Sequence, residues 1–357
     1  MASAITIEPF ELELQSPLKT ADGTIESRRG FLVCLEAEDC VGYGEATPLP
    51  GWTESYERCE RTLTAAADAL SVDKAIESVS ATATPAARHG LSLARLDRRA
   101  QRCGLGLSQY LAGGGPRDTV SVNATIGDGS VASTVAAART AVDAGYQCLK
   151  CKVGAGGVTR DIARLRAVRS AVGPTIELRA DANGAWNRTQ AEHVVRAIDD
   201  ANVAYVEQPL TPGSLSATNS LRSIGTTAIA LDEECLRTPI NDILRAKAAD
   251  VLVIKPMAVG GIDRAFRIAR VARLVGGVEV VVTTTIDGPI AHTGAIQLAG
   301  ALKTDTACGL ATADRFAGST PEALRITDGK IAVPEGSGCG LTVAGETGIE
   351  NWYGIES

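Results

Sequence analysis

Five ionisable side chains recur along this sequence at nearly constant spacing, each at or just after the end of a short apolar run. They are Lys152, Asp181, Glu207, Asp232 and Lys255, separated by 29, 26, 25 and 23 residues. This interval corresponds to one strand and one helix of a (β/α) barrel, whose active site lies at the carboxyl ends of the strands. One such residue alone is usually a cap or a solvated charge. Five in succession predict a shared site.

The three carboxylates in this series predict a divalent cation. Asp181, Glu207 and Asp232 would repel one another in a low-dielectric pocket unless a cation lay among them. Three carboxylate ligands, completed by water and substrate, suit Mg²⁺, with Mn²⁺ as an alternative ion. Glu233 points to the other side of its strand, so we expect it to support the site without binding the ion.

The lysines predict proton abstraction beside a carboxylate. Lys152 and Lys255 come from opposite sides of the predicted barrel. One of them can act as a base while the metal stabilises the enediolate that forms when an α-proton leaves. Lys150 lies two residues before Lys152. Two ammonium groups this close repel, which lowers the pKa of one of the pair.

The stretch CLKCKVG, residues 148–154, also allows a competing interpretation, because Cys148 and Cys151 form a C-x-x-C pair. Residues three apart face opposite sides of a strand, so these thiols cannot share a metal or easily form a disulfide. Lys150 and Lys152 are two apart and face the same side, into the barrel. We therefore interpret the cysteines as packing residues, in keeping with a reduced cytosolic protein.

From about residue 120 onward, strand-like apolar runs alternate with helical segments such as VTRDIARLRAVRSAV, which carry apolar residues three and four apart. This alternation predicts an α/β fold, a (β/α) barrel of the modified TIM type. A doubly wound sheet is the alternative, but it usually has a Gly-rich phosphate-binding turn after its first strand. The predicted strands lie within residues 121–126, 148–153, 175–183, 203–210, 229–234, 251–256, 278–286 and 308–312.

The residues before the barrel follow a different pattern. FELELQSPL and GFLVCLEAEDCVGYGEA alternate as antiparallel strands do, SYERCERTLTAAADAL predicts a helix, and AGGGPRD predicts a linker. We expect an α+β capping domain over residues 1–115 and the catalytic barrel over residues 116–320. We expect the C-terminal segment, residues 321–357, to form short strands and return to the cap.

Charge and hydropathy exclude several kinds of partner. The formal net charge is −7 and no Lys/Arg-rich run occurs, which argues against nucleic acid. No apolar run approaches the roughly 20 residues that span a bilayer, and the first residues lack the pattern of a signal peptide. These features predict a cytoplasmic protein, and the lysines beside the metal site predict a small-molecule carboxylate substrate. They leave the oligomeric state open, a homo-oligomer included.

These motifs resemble those of the enolase superfamily, within its muconate-lactonising subgroup, and are most similar to the o-succinylbenzoate synthase family. In the barrel, KCKVG, LRADANGAW, VEQPL, ALDEE and VIKPMAVGG match, and GLATADRF resembles the Gly-Leu-x-Thr element after the last strand. In the first domain, LKTADG (18–23) and GYGEATPLPGWTES (42–55) resemble the two mobile specificity loops of that family. The resemblance implies a lysine base that acts with Mg²⁺, the general pattern of this superfamily.

The resemblance also implies a role for each residue of the series. The three carboxylates would bind Mg²⁺. Lys152 would remove the α-proton and then, as its conjugate acid, assist departure of a hydroxyl from the same face. Lys255, on the opposite face, would stabilise the enediolate as a cation, and Lys150 would tune Lys152.

Five further residues are implied to surround the reacting groups. Arg179 and Asn183 lie two residues on either side of the first carboxylate and so face inward, where we expect them to support the ligands. Thr284, Thr285 and Gly309 are expected to hold the distal part of the substrate, partly through backbone amides.

The implied activity is the Mg-dependent syn dehydration of 2-succinyl-6-hydroxy-2,4-cyclohexadiene-1-carboxylate to 2-succinylbenzoate, a carbon–oxygen lyase reaction of menaquinone biosynthesis. The alternative is an N-succinylamino acid racemase or dipeptide epimerase that uses both lysines as bases. The PLPGW loop favours the dehydratase, and dipeptide epimerases usually carry Asp-x-Asp where this chain has only Asp314. One departure is the sequence Asp287-Gly288-Pro289, where relatives have Glu-Ser-Ser, and it affects the contact with the substrate tail.

Other interpretations agree less well with the motifs. Mandelate racemases need a histidine at the end of the seventh strand, whereas His292 is expected in the following helix. A Schiff-base lyase or aldolase would use strand-end lysines, but it would not need three carboxylates and would tolerate EDTA. A barrel that only binds ligands would be expected to have lost at least one residue of the series.

Overall fold

The computed structural model describes residues 4–20, 23–36, 40–69, 71–127, 129–318, 320–341 and 353. The strands are Ala4–Thr20 (β1), Gly23–Glu36 (β2), Val41–Ala46 (β3), Thr119–Ser121 (β4), Ala124–Ile126 (β5), Cys148–Lys152 (β6), Glu177–Asp181 (β7), Val203–Glu207 (β8), Ala228–Leu231 (β9), Val251–Ile254 (β10), Glu279–Val282 (β11), Ile326–Thr327 (β12) and Lys330–Ala332 (β13). The helices are Tyr56–Ala67 (α1), Val72–Ser78 (α2), Pro85–Arg102 (α3), Leu107–Ala112 (α4), Val131–Asp143 (α5), Val158–Val172 (α6), Arg188–Ala197 (α7), Leu215–Leu221 (α8), Glu234–Arg237 (α9), Ile240–Arg245 (α10), Ile262–Val271 (α11) and Pro289–Leu302 (α12). Within these described ranges, no helix has the length and apolar character needed to cross a membrane.

Strands β1, β2 and β3 form an antiparallel sheet, and α3 packs against it. Phe31, Val33 and Leu35 alternate along β2 and are buried in one cluster with residues of α1–α3. Gly44 lets α3 approach the sheet closely, because a Cβ atom at this position would collide with the carbonyl oxygen of Gly90. The antiparallel strands and the first helix predicted for this region are confirmed.

Seven strands, from β5 to β11, form one parallel sheet in chain order. Its two edges are joined after α12, where Cys308 bridges Val122 and Gly309 bridges Thr283. The predicted (β/α) barrel is therefore confirmed. The eighth strand, predicted over residues 308–312, is shorter than expected, because the chain turns away directly after these two bridges.

Alternate residues of the barrel strands pack on opposite faces, as in sheets that are covered on both sides. In β10, Val251 and Val253 pack inside the barrel with Val281, whereas Leu252 and Ile254 belong to the core outside it. This apolar interior ends just below the mouth of the barrel. The next inward positions hold the polar residues of the candidate site.

The chain after residue 321 contacts both parts of the molecule. Strand β13 pairs antiparallel with β4, just before the barrel. The carbonyl oxygen of Gly338 accepts a hydrogen bond from the N–H of Leu107 at 2.6 Å. The N–H of Cys339 donates to Asp97 of α3, also at 2.6 Å. The segment therefore ties α3 and α4 to the strand that precedes the barrel.

A buried carboxylate joins the first domain to the barrel. Glu45, at the end of β3, accepts hydrogen bonds from the N–H groups of Gly288 and Ala291 at 2.7 and 3.0 Å, where α12 begins. It also accepts from the hydroxyls of Thr47 and Tyr353. Negative charge at a helix N-terminus is favourable. Glu45 therefore fixes the start of α12, and the loop that joins β11 to α12, to the first domain.

The change Glu45→Ala is expected to lower the free energy of unfolding by about 3 kcal/mol, because it leaves several buried donors without an acceptor. Urea denaturation followed by circular dichroism measures this change. The control is Glu26→Ala, since Glu26 is exposed on β2. A loss within about 0.5 kcal/mol, the range of an ordinary surface substitution, would show that the joint does not depend on this carboxylate.

Candidate active site

Strand register places the first charged side chains of the site at one level. Lys152, Asp181 and Glu207 are the last residues of β6, β7 and β8, and the parallel ladder pairs the first with the second and the second with the third. Asp232 and Lys255 each follow the last residue of β9 and β10. Because the strands are parallel, all five side chains lie at the same mouth of the barrel.

The lysines of β6 bind the carboxylates of β7 and β8. The Nζ atom of Lys150 lies 2.9 Å from Oδ2 of Asp181 and 2.6 Å from Oε1 of Glu207. The Nζ atom of Lys152 lies 2.7 Å from the same Oδ2 of Asp181. The side chain of Lys152 is 37% exposed and that of Lys150 15%. Lys152 is thus the more accessible of the two to a bound substrate.

The lysine on the opposite side of the mouth is enclosed. Lys255 forms an ion pair with Asp232, and its side chain is 11% exposed. Its ammonium group also lies over the indole ring of Trp52, with Nζ 3.8 Å from the ring centroid. Trp52 comes from the first domain and was not predicted as a site residue, although it lies inside the PLPGW loop. The other predicted loop, LKTADG, includes residues 21 and 22, which lie outside the described residues.

The carboxylates fit a divalent cation. Asp181, Glu207 and Asp232 are all buried, and Oε2 of Glu207 has no hydrogen-bond partner. A buried, unpaired carboxylate oxygen is costly and suits a metal ligand. Across the described ranges, no three His, Cys, Asp or Glu side chains converge closely enough to hold a metal. In the structure, the carboxylates are instead paired with the ammonium groups of the lysines.

Burial and neighbouring charges shift the pKa values of the three carboxyl groups in different directions. Burial would raise the pKa of Asp181, but Lys150 and Lys152 outweigh it and hold that pKa well below the ordinary value. Burial, together with repulsion from Asp181, raises the pKa of Glu207 to about 7. Burial also raises the pKa of Asp232, despite the attraction of Lys255. The buried acids of the site therefore differ in how readily they release a proton.

Lys150 remains a cation. Burial would lower its pKa, but attraction to Asp181 and Glu207 is stronger, and the pKa of Lys150 lies well above its ordinary value. Repulsion between the two lysines of β6 was expected to lower the pKa of one of them. Lys150 is not that member of the pair, because its attraction to the carboxylates of Asp181 and Glu207, at 2.9 and 2.6 Å, raises its pKa instead.

Asn183 links Lys152 to Glu233. Its Oδ1 atom accepts from Lys152 Nζ at 2.8 Å, and its Nδ2 atom donates to Glu233 at 2.9 Å. Its backbone N–H donates to Asp181 at 3.0 Å, in the left-handed region at φ +45°. Asn183 therefore lies beside Lys152, and Glu233 contacts the site through Asn183.

Gln208 supports the candidate site and was not predicted from the sequence. It is buried, and its Oε1 atom accepts from the N–H groups of Asp232 and Glu234 at 3.2 and 3.1 Å. It therefore holds the turn that carries the third carboxylate. The VEQPL motif contained this residue, but the motif gave no sign that its side chain reaches the neighbouring strand.

Arg179 lies deeper in the barrel than expected. Its guanidinium donates to Glu177 at 2.5 Å and to the carbonyl oxygen of Ala307 at 2.7 Å, and it lies over the ring of Tyr205. Within the described structure, no hydrogen bond joins it to the three carboxylates at the mouth. Two residues along a strand amount to about 7 Å, which places Arg179 one layer below Asp181.

The chain after β11 and the short segment around Gly309 form the side of the mouth that we call distal. Thr284 shares a hydrogen bond with Thr312 at 3.0 Å, and Thr285 donates to the buried carboxylate of Asp287. Gly309 lies against Thr283, whose hydroxyl donates to its carbonyl oxygen at 2.8 Å. Thr283, which the sequence analysis missed, holds the inward position two residues after Val281, and strand alternation could have identified it.

Two cysteines and one histidine that the sequence analysis considered lie buried around β6 and in α12. Cys148 lies near Arg179 inside the barrel, whereas Cys151 is buried in the core outside it, and both thiols are free. Burial raises the pKa of both to about 12. His292 is buried in α12, where burial lowers its pKa to about 4. As expected, the two thiols lie on opposite faces of β6 and form no disulfide, and His292 lies in the helix that follows β11.

Comparison with known proteins supports this architecture over both parts of the chain. Residues 133–347 match the family described as Enolase C-terminal domain-like, and residues 3–98 match the family described as MenC, N-terminal domain.

Individual relatives differ in their activities. The L-Ala-D/L-Glu epimerase of Bacillus subtilis (strain 168) is 31% identical over 308 residues, which cover 82% of this chain and 83% of that protein. The o-succinylbenzoate synthase of Thermobifida fusca (strain YX) is 37% identical over 202 residues, covering 55% and 60%. The dipeptide epimerase from Enterococcus faecalis V583, solved with Mg and the dipeptide L-Leu-L-Tyr, has a TM-score of 0.86 at 29% identity, covering 95% of this chain and 99% of that one.

Proposed function

We propose that this chain, which belongs to the enolase superfamily, is an o-succinylbenzoate synthase. It would convert 2-succinyl-6-hydroxy-2,4-cyclohexadiene-1-carboxylate to 2-succinylbenzoate and water. The observation that carries this proposal is the asymmetry of the two opposed lysines. Lys152 is open at the mouth, whereas Lys255 is enclosed between Asp232 and Trp52. One base and one fixed cation suit a dehydration on a single face better than a two-base racemisation.

In this mechanism Lys152 transfers the same proton twice, first from the substrate carbon and then to the leaving hydroxyl. Lys152, as the neutral amine, takes the α-proton of the ring carboxylate. The carbon–oxygen bond on the same face then breaks, and the Lys152 ammonium returns that proton to the departing hydroxyl, so that water leaves. When bound by Asp181, Glu207 and Asp232, Mg²⁺ would neutralise negative charge that develops on the substrate carboxylate. Lys255 would add a positive charge from the opposite face.

The distal side of the mouth also supports this substrate. A dipeptide brings an ammonium group, which requires a free carboxylate, whereas a succinyl tail brings a carboxylate, which requires donors. Thr284 and Thr312 offer hydroxyls there, while Asp287 is buried and already accepts from Thr285. The match of residues 3–98 to the MenC N-terminal domain supports the same assignment, because this domain carries the cap loops.

A dipeptide epimerase or N-succinylamino acid racemase is the second candidate. The Bacillus subtilis and Enterococcus faecalis epimerases cover more of this chain than the Thermobifida fusca synthase does. Lysines on both faces of a substrate carbon are the groups that racemisation would need. One experiment can distinguish the two activities.

The purified protein is mixed with the cyclohexadiene substrate, and the ultraviolet absorbance of the diene is followed with and without EDTA. We expect rapid loss of the diene signal that EDTA abolishes. In parallel, N-succinylamino acids and L-Ala-L-Glu are incubated in deuterated water, and α-proton exchange is measured by NMR. Exchange without any diene turnover would contradict the dehydratase assignment and favour the second candidate.

A further inference from the structure

We propose that Trp52 is a positioning residue for Lys255, so that the first domain supplies part of the frame that holds a catalytic group of the barrel. The inference rests on the role proposed above for Lys255 as a fixed cation. The contact itself is direct, since the Lys255 ammonium lies 3.8 Å from the centroid of the indole ring. A cation over an aromatic face at this distance is attracted by the π electrons.

The turn that carries Trp52 is internally braced. The N–H groups of Trp52 and Thr53 both donate to the carbonyl oxygen of Leu49, at 3.0 and 2.8 Å. The hydroxyl oxygen of Thr53 accepts from the N–H of Leu49 at 2.7 Å. Gly51 has φ +92°, a conformation that side-chain-bearing residues rarely adopt. The turn is therefore a defined structure whose shape does not depend on Lys255.

Both ends of this turn are anchored within the first domain. Before the turn, buried Arg28 donates to the carbonyl oxygens of Thr47 and Pro48, at 2.9 and 3.1 Å. After it, buried Glu54 accepts from the N–H groups of Ala86 and Ala87 at 3.0 and 2.8 Å, at the start of α3. The indole ring is consequently held by this frame rather than by the barrel mouth.

The ring also borders a large cavity that Lys255 does not line. A cavity of about 810 Å³ lies between the first domain and the barrel, and its lining includes Trp52 and Glu233 but not Lys255. Asp232 binds the ammonium group and the indole covers it. Without the ring, the flexible four-carbon side chain of lysine could turn toward the cavity.

Catalysis is sensitive to small errors in the position of a reacting group. Loss of the contact between Trp52 and Lys255 should therefore lower the rate of the chemical step more than the affinity for substrate. The change Trp52→Leu is expected to lower kcat about threefold to thirtyfold, the range that corresponds to one cation–π contact. The KM should change less than kcat. Trp52→Phe retains an aromatic face and should recover most of the lost kcat, which a purely apolar contact would not explain.

A spectroscopic test does not depend on turnover. The chain has eight lysines, few enough to resolve individually in a protein labelled with [ε-¹³C]lysine. One cross-peak should be shifted upfield by the indole ring current and should disappear in Lys255→Met. The shift should be lost in Trp52→Leu and retained in Trp52→Phe, with and without Mg²⁺.

The two measurements separate the positioning proposal from the proposed function. An upfield signal that depends on Trp52 supports the positioning role even if the diene is not a substrate, and kcat is then compared on whichever substrate exchanges its α-proton. The proposal is overturned if no lysine signal is shifted, or if the shift survives in Trp52→Leu. It is also overturned if the leucine and phenylalanine variants lose kcat equally.

Discussion

Replacing Lys152 with alanine is expected to abolish turnover while leaving the fold and metal binding intact. Lys152 is the only one of the three lysines at the mouth whose side chain is more than a third exposed. It is therefore the one that a substrate carbon can reach. A positioned general base contributes roughly 10²- to 10⁴-fold, and here the same residue also returns the proton. We expect a loss at or beyond the upper end of that range.

The loss is measured as kcat in the diene assay, with circular dichroism and Mg²⁺ titration calorimetry as checks on fold and metal binding. Lys74→Ala is the control, because Lys74 is exposed on α2, a helix of the first domain. Lys255→Met is the informative comparison. A dehydratase should keep some α-proton exchange in this variant, since Lys152 remains. Substantial turnover by Lys152→Ala would disprove its role as the base.

The residues at strand ends could be predicted from sequence because each is adjacent to the strand that positions it. Parallel strands bring their carboxyl ends together, so spacing alone placed Lys152, Asp181 and Glu207 at one mouth. The same alternation separated the inward lysines from Cys151. The level and the face of these side chains could be predicted because both depend only on local geometry.

The residues that complete the site from elsewhere could not be predicted in this way. Trp52 reaches Lys255 across 203 positions of the chain, and Glu45 reaches Gly288 across 243. Such contacts depend on how the first domain sits on the barrel, which no local periodicity encodes. The depth of Arg179 follows from its place two residues before Asp181 on β7, but its contact with the carbonyl oxygen of Ala307, 128 positions away, does not.

Ion pairs between the lysines and carboxylates also explain how the site can be stable before a metal binds. Buried carboxylates without partners would be strongly destabilising. The structure pairs Asp181 and Glu207 with Lys150, and Asp232 with Lys255. A divalent cation would therefore compete with these ammonium groups, and with protons, for the same oxygen atoms.

Mg²⁺ affinity is accordingly expected to fall steeply as the pH drops below about 7, and removal of the metal should abolish activity. The pKa of Glu207 is raised to about 7, first by burial and then by Asp181, so below that pH its carboxyl is mostly protonated in the metal-free protein. A metal ligand must be deprotonated, so binding must then release this proton. The apparent dissociation constant should rise about tenfold for each pH unit below 7.

Titration calorimetry at pH 6, 7 and 8 tests this expectation, together with the proton release measured in buffers of different ionisation enthalpy. Glu207→Gln should bind Mg²⁺ far more weakly and should lose the pH dependence near 7, because the titrating ligand is gone. Glu60→Gln, on the exposed side of α1, should behave like the unchanged protein. If Glu207→Gln bound Mg²⁺ with normal affinity, or if affinity did not vary between pH 6 and 8, Glu207 would not be a ligand.

EDTA should abolish turnover in the unchanged protein, and added Mg²⁺ should restore it, because three carboxylates alone cannot neutralise the charge that develops on the substrate.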